Sequence, residues 1–280
     1  MNFFRYFLVF FVITFISCDN DEVKVETDID ENETLAGTTQ SHSLMNQGIN
    51  RDYQIHFPPS YDGEWADGRG TTTAEEDGID DVDFLSKLVD ELLNTYQINA
   101  CQLYLTGISS GGMMTLRMAC DYSDRFAAYA SIASSLPDQY VPLCQPDSSV
   151  SIAMVNGTED KFSPYEGGAS SVPSSTGTVL GALGTIAFWT THNQCSEALT
   201  PSITNFPDTN TEDNSHVIRY DYGACNQDTG VVLYEVVGGG HTFPGGPGPI
   251  YVPLVGYANK DVNGAEEIWN FFKEKKSCSD

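Results

Sequence analysis

From residue 84 onward the apolar residues switch repeatedly between two periods, and this alternation limits the chain to one class of fold. Phe84, Leu85, Leu88, Val89, Leu92, Leu93 and Tyr96 recur at helical spacing, directly behind Asp80, Asp81 and Asp83, whose charges suit a helix N-terminus. Residues 101–108 then read as a strand, with Leu103 and Leu105 on one face and Tyr104 on the other. A helix is predicted over 110–120, strands over 126–133 and 150–155, and a glycine-interrupted helix over 179–193. Strands follow at 217–222 and 231–237, and a closing helix at 265–275 carries Ile268, Trp269, Phe271 and Phe272. Strands that alternate with helices form a mostly parallel sheet with helices on both faces, the α/β class. With 280 residues such a chain builds one full core, so a single catalytic-sized domain over residues 47–280 is expected.

The first part of the chain reads differently. Residues 6–16 are an apolar run preceded by Arg5, too short to span a bilayer and charged in the order of an export signal. The run ends in Phe15-Ile16-Ser17-Cys18, which resembles a bacterial lipobox, so residues 1–17 are expected to be a lipoprotein signal peptide and Cys18 the acylated first residue. Two or three acyl chains there would hold the protein on a membrane, where one chain binds only marginally. From 19 to 33 there are eight acidic residues and one lysine with few apolar ones, so residues 18–46 are expected to be a disordered acidic tether. The first structured segment is expected at 51–57, where Tyr53, Ile55 and Phe57 alternate with polar residues until Pro58-Pro59 ends the strand.

A formal net charge of -26 disfavours nucleic acid and anionic lipid surfaces, which would repel the protein, and leaves the lipid anchor as its contact with a membrane. Solubility accounts for most of that acidity, and neutral substrates fit it. A monomer is expected. Apart from Cys18 there are six cysteines, an even number in an exported chain where disulfides persist. Spacing alone does not fix the pairing; Cys195 with Cys225 and Cys120 with Cys144 would each close a modest loop. No CxxC pair or His-rich spacing accompanies them, so no metal is expected. The acidic stretches 75–83 and 208–214 lack the glycine and terminal glutamate of an EF-hand loop and are expected to be solvated loops.

The chemistry concentrates at Gly107-Ile108-Ser109-Ser110-Gly111, between a predicted strand and a predicted helix. Such a turn projects a serine hydroxyl above the sheet and points the helix N-terminus, here the Ser110 N–H, at a developing oxyanion. A serine nucleophile needs a base that a carboxylate orients, in the chain order serine, acid, histidine. His192, His216 and His241 follow Ser109. His241 stands behind a predicted strand and Gly238-Gly239-Gly240, at the carboxyl end where open α/β sheets carry their sites, whereas His192 lies in a predicted helix and His216 opens a strand, positions that suit surface or structural roles. Asp160 follows the strand at 150–155 within Asn156-Gly157-Thr158-Glu159-Asp160. An aspartate in such a segment is often only a turn residue, and Glu159 is its nearest competitor.

Together these motifs resemble the secreted feruloyl esterase and polyhydroxybutyrate depolymerase-like esterases. The resemblance is carried by Ile108-Ser109-Ser110-Gly111-Gly112-Met113-Met114, by Asn156-Gly157-Thr158-Glu159-Asp160 with Pro164-Tyr165-Glu166-Gly167-Gly168, by Trp189 with Asn193 and Cys195, and by Gly239-Gly240-His241-Thr242-Phe243-Pro244-Gly245-Gly246. Asp80-Asp81-Val82-Asp83-Phe84-Leu85 and Ile268-Trp269-Asn270-Phe271-Phe272 look like the same family's flanking helices. The resemblance spans residues 51 to 280 and implies the α/β-hydrolase fold, a Ser109–Asp160–His241 triad, a Cys195–Cys225 disulfide and no cofactor. It marks Trp189 and Phe243 as candidates for substrate contact, Phe243 standing where many relatives carry tryptophan. The implied substrates are carboxylic esters, polymeric or small.

One departure is visible without any relative. Between Phe57 and Val82 no apolar run is long enough for a strand, and so long a structureless stretch inside a compact α/β domain signals something absent. By the resemblance, two central strands and a His-Gly loop that supplies one oxyanion-hole N–H belong here, and no histidine in this chain precedes a glycine. Glu64-Trp65-Ala66-Asp67-Gly68-Arg69-Gly70, which looks like the segment that follows the missing part, is joined directly to Tyr61-Asp62-Gly63, which looks like the one that precedes it.

Overall fold

A computed structural model describes residues 39–46, 49–56, 64–172, 175–246 and 252–278. The expected leader and Cys18 lie outside them. The chain divides into two compact units, with the boundary between Glu64 and Trp65. In the first, strands β1 (Thr39–Asn46) and β2 (Ile49–His56) form an antiparallel hairpin in which Thr39 faces His56 and Asn46 faces Ile49. Residues 39–46, placed above in the acidic tether, form a strand because the alternating segment behind them finds its partner locally, and among the described residues the larger unit runs from Trp65.

The larger unit opens with a short helix α1 (Thr73–Glu76), followed by α2 (Asp81–Thr95), strand β3 (Tyr104–Ile108), α3 (Ser110–Asp121), β4 (Ala128–Ile132) and β5 (Ile152–Gly157). A two-residue pair, β6 (Gly168–Ala169) with β7 (Thr178–Val179), precedes α4 (Gly181–His192). Then come β8 (Ser202–Asn205), β9 (His216–Tyr222), β10 (Val231–Val237), α5 (Val252–Val255) and α6 (Gly264–Phe272). The main sheet has the order β3-β4-β5-β10-β9-β8; β3, β4, β5 and β10 run parallel, and β9 and β8 add antiparallel at the far side. The exposed β8, flanked by few apolar residues, gave no strand signal in the sequence.

Register explains the two-sided core. Leu105, Tyr129, Ile152, Val231 and Tyr222 align across five strands and face one side, where Met114, Leu116 and Met118 of α3 and Ile186 and Trp189 of α4 cover them. The intervening residues Ala128, Ala130, Ala153, Val155, Val232 and Tyr234 face the other side, against Ile268, Phe271 and Phe272 of α6. Small alanines there leave room for the large rings. Tyr104 belongs to this second side, as its alternation with Leu103 and Leu105 required: its ring stacks on Phe272 at 4.9 Å and its hydroxyl donates to the Lys275 carbonyl. The arrangement is a mostly parallel mixed sheet with helices on both faces, α/β-hydrolase-like, as expected.

The absent apolar segment has a visible consequence. Among the described residues no strand lies between Glu64 and Leu103, and β3 is the edge of the main sheet. Carboxylates organise the connection in place of strands. Glu75 and Thr72 cap α1 reciprocally, Glu75 also accepts from the N–H groups of Gly68 and Thr71, and the Asp81 carboxylate accepts from the Ala66 N–H at 2.8 Å. Asp80 caps α2 by accepting from the Asp83 N–H. The stretch 75–83 is thus solvated at Glu76, Asp77, Gly78 and Asp80, as expected, while Glu75, Asp80 and Asp81 also anchor the surrounding backbone. At the second acidic stretch, Asp261 accepts from the N–H groups of Thr209 and Asn210, and Asp213 accepts from Ser215 and the Lys260 N–H.

The cysteines pair as Cys195–Cys225 and Cys120–Cys144, the two expected pairs, and as Cys101–Cys278. The third joins the turn before β3 to the segment after α6, a separation of 177 residues that no loop-length argument favours.

Candidate active site

The turn after β3 places Ser109 at φ 58°, ψ -125°, a sparsely populated backbone conformation for a residue with a side chain. Holding it there costs of order 1–3 kcal/mol. Its N–H donates to the Ile132 carbonyl at the end of β4, which fixes the turn to the sheet. Ser109 is the N-cap residue of α3, yet its side chain makes no capping bond. A serine there would ordinarily accept from the first turn; here Oγ lies 2.8 Å from His241 Nε2 instead. The amides that open α3, Ser110 first, have no carbonyl partner inside the helix and remain oriented to receive negative charge.

The two glycines of Gly107-Ile108-Ser109-Ser110-Gly111 differ in what they do. A Cβ on Gly107 would sit 2.2 Å from the Gly111 carbonyl oxygen, so only glycine lets α3 fold back over β3. A Cβ on Gly111 would meet nothing within 4 Å. The close approach falls instead on Gly112, where a Cβ would lie 2.3 Å from Ser134 Oγ, itself buried and 2.6 Å from Ser131 Oγ.

Neighbouring parallel strands bring acid and base together. β5 and β10 pair in register up to Gly157 and Val236, and the chain leaves both at the same end of the sheet. Gly157 lacks a Cβ that would lie 2.3 Å from the Gly239 carbonyl oxygen, so the two exit loops touch, and the Glu159 N–H donates to that same carbonyl at 2.9 Å. His241 is fixed from behind by its N–H, which donates to the Val255 carbonyl of α5. Asp160 reaches His241 Nδ1 with both oxygens, Oδ2 at 2.8 Å and Oδ1 at 3.1 Å, while Oδ1 also accepts from the N–H groups of Phe162 and Ser163. Asp160 and His241 are both buried, whereas Glu159, the competing carboxylate, is exposed and contributes through its backbone. Ser109, His241 and Asp160 are thus one hydrogen-bonded chain, in which a proton leaving Oγ has an acceptor at Nε2 and the resulting imidazolium has a carboxylate at Nδ1–H.

The other candidates separate. Phe243 is half-buried, its ring over Gly264 at the start of α6, two residues from His241. Trp189 is fully buried in the core under α4, edge-on to Phe188 and His192, and offers no surface to a substrate. Its expected contact with substrate is corrected to a packing role; a helical stripe residue is filled into the core when its helix covers a sheet. His192 contacts the Ser148 carbonyl through Nε2 at 2.9 Å, and His216 opens β9 opposite Val237. One neighbour of the site carried no sequence signal: Phe162, whose ring lies 4.7 Å from the His241 ring. Among the described residues no group of three or more metal-ligating side chains converges.

No protein-family model matches the chain. It is 28% identical over 222 residues to "Putative esterase NocK" of Nocardia uniformis, covering 74% of this chain and 61% of that one. It is 30% identical over 165 residues to feruloyl esterase B of Piromyces equi, covering 58% of this chain and 29% of the other, and 30% identical over 126 residues to acetylxylan esterase A of Emericella nidulans, covering 40% and 41%. The chain thus spans about three fifths of the first relative's length and less than half of the other two. Among solved structures it is similar to an acetyl xylan esterase from Aspergillus awamori, with 15% identity and a TM-score of 0.47 over 81% of this chain and 78% of that one. These sequence relatives are esterases, feruloyl and acetylxylan esterases among them, in keeping with the resemblance carried by the motifs.

Proposed function

We propose that the protein hydrolyses carboxylic esters through an acyl-enzyme formed on Ser109. The observation that carries this reading is the unbroken contact from Ser109 Oγ to His241 Nε2 and from His241 Nδ1 to Asp160. As Oγ attacks the acyl carbon, its proton passes to Nε2 and the carbonyl electron pair moves onto oxygen, where the Ser110 N–H receives it. Collapse expels the alcohol, which takes the proton from Nε2. Water then gives its proton to Nε2 and attacks the acyl group, releasing the acid and restoring Ser109. No cofactor takes part in this scheme. Labelling with a fluorophosphonate tests it: wild type should react and Ser109→Ala should not, and equal labelling of the two, or of neither, overturns the assignment.

For substrate we propose polymer-linked esters, feruloyl or acetyl groups on plant polysaccharide ahead of a polyhydroxybutyrate-type polyester. Two relatives named for feruloyl and acetylxylan ester cleavage support this order. Release of ferulate, acetate and 3-hydroxybutyrate from their polymers, measured side by side, decides between them. We place the protein outside the cytoplasm as a monomer, carried by a lipid on Cys18 and without a nucleic-acid partner; three disulfides suit an exported chain. A palmitate analogue should mark wild type and not Cys18→Ala.

A second reading has its own observation. With β3 at the edge of the main sheet among the described residues, and the segment that would supply the second oxyanion donor absent from the sequence, the chain would serve as an impaired esterase that binds its polymer at the cell surface. Polymer binding retained by a preparation without measurable turnover would favour it.

A further inference from the structure

Every polar atom of the His241 ring is accounted for by Ser109 and Asp160, which leaves its two faces. One of them is covered. The Phe162 ring lies 4.7 Å from it, centre to centre, tilted by 32°. The two ring planes lie nearer parallel than perpendicular, so the pair is tilted and not T-shaped. The position of Phe162 is itself imposed, because its N–H donates to Asp160 Oδ1 at 2.8 Å: the same carboxylate that orients the edge of the imidazole anchors the residue that covers its face. Phe162 is half-buried beside the buried His241. Other groups near the ring do not compete for this role. Lys161, on the same loop, turns its ammonium to the Pro253 carbonyl, and Tyr257 meets the glycine turn and Thr242 through its backbone carbonyl. The charged partner of the ring is Asp160, at Nδ1.

We propose that Phe162 is a positioning residue whose π face stabilises the imidazolium form of His241 and holds the ring in the plane shared by Ser109 and Asp160. The proposal rests on the hydrolytic reading for its consequence in turnover, but not for its effect on the histidine. When Nε2 takes the Ser109 proton, positive charge spreads over a ring whose edge meets a carboxylate and whose face meets the electron-rich side of a benzene ring. An aromatic face beneath a buried cation shifts an equilibrium by roughly three- to tenfold. Leucine at 162 would keep the bulk and the backbone bond to Asp160 while removing the π face; tryptophan would restore it.

The test titrates His241 by NMR in wild type, Phe162→Leu and Phe162→Trp, with His241→Asn to assign the resonance, and measures kcat and KM of the same proteins on a soluble ester. Phe162→Leu should move the His241 resonance titration to lower pH and lower kcat about three- to tenfold with KM within about twofold, and Phe162→Trp should recover both. An unchanged titration in Phe162→Leu overturns the proposal, as does a change confined to KM, which would make Phe162 a substrate contact. Because the titration needs no turnover, a wild type that hydrolyses nothing would sink the esterase reading and still decide this one.

Discussion

Asp160 and His241 meet through two oxygens and one nitrogen, and that carboxylate also accepts two backbone N–H groups, so its orientation is fixed independently of the histidine it orients. Replacing it with asparagine keeps the shape but presents an amide that cannot stabilise an imidazolium and that favours the wrong tautomer. Asp160→Asn should therefore lower kcat by about 10³ to 10⁴ with little change in KM, while Glu159→Gln, altering an exposed side chain, should leave both within about twofold. Steady-state kinetics on a p-nitrophenyl ester separates the two carboxylates. Comparable losses in both variants would mean that the acid has been misassigned.

The turn at Ser109 makes opposite predictions for its flanking glycines. In Gly107→Ala the new methyl carbon would lie 2.2 Å from a backbone oxygen of α3, so the helix must move, at about 1–3 kcal/mol. In Gly111→Ala it enters open space on a helical residue, where alanine is favoured by up to about 1 kcal/mol. Chemical denaturation should show the first variant clearly destabilised and the second at or above wild type. Equal midpoints would mean that the elbow is looser than the contact implies.

Much of this arrangement was legible in the chain. Ser109 and His241 could be located because a strained turn and a sheet-end loop both demand glycine, and glycine spacing is written in the sequence. Local pattern alone did not separate Asp160 from the adjacent Glu159, although the resemblance implied Asp160; the structure separates them by burial and by the bonds to His241. The central strands were read correctly because both faces of β4, β5 and β10 are apolar; β8 is exposed along its length and gave no such signal. Trp189 was misread because a residue grouped with site motifs in sequence need not touch the site in space. The Cys101–Cys278 pair and the Phe162 contact depend on where distant segments meet, and no local pattern encodes that.

Asp67 supplies a pH signature of the connecting loop. Its carboxylate is fully buried, and burial pushes its pKa up from 3.8 to about 6, partly opposed by the Arg69 guanidinium that contacts both of its oxygens and reinforced by nearby Glu75. Between pH 3.8 and about 6 the folded protein therefore holds a proton that the unfolded chain has released. The contribution to stability is full below 3.8 and is lost as pH rises through about 6. Asp67→Asn should remove that dependence, so the variant's Tm should gain on wild type between about pH 3 and about pH 7, each roughly one unit beyond an end of the window. A difference in Tm that stays constant across this range would show that Asp67 does not titrate there.

The edge position of β3 carries the last prediction, that this chain is a weak esterase despite a well-formed Ser109–His241–Asp160 array. One oxyanion donor, the Ser110 N–H, is in place at the start of α3. The partner donor would come from the segment that the sequence omits. The loop now nearest in the chain, residues 65–72, contacts the connections that follow β4 and β5: Gly68 packs on the Tyr140 ring, and Thr71 bonds Thr176. Its amides, however, are engaged elsewhere. Those of Ala66, Gly68, Arg69, Thr71 and Thr72 donate to Asp81, Glu75, Asp67, Glu75 and Glu75 in turn. A site short of one donor should turn over about 10² to 10³ more slowly, a loss of roughly 3 to 4 kcal/mol in transition-state stabilisation. The strand itself adds a second liability, since an edge without a partner among the described residues, next to the nucleophile, invites mispairing. The comparison to make is kcat on a p-nitrophenyl ester against a relative that retains the segment, with cooperative unfolding confirmed for both. A deficit of 10² or more supports the reading. A rate within about tenfold, from a cooperatively folded chain, is too small a gap for one lost donor, and would turn attention to residues 65–70, Gly70 first, as the source of a replacement.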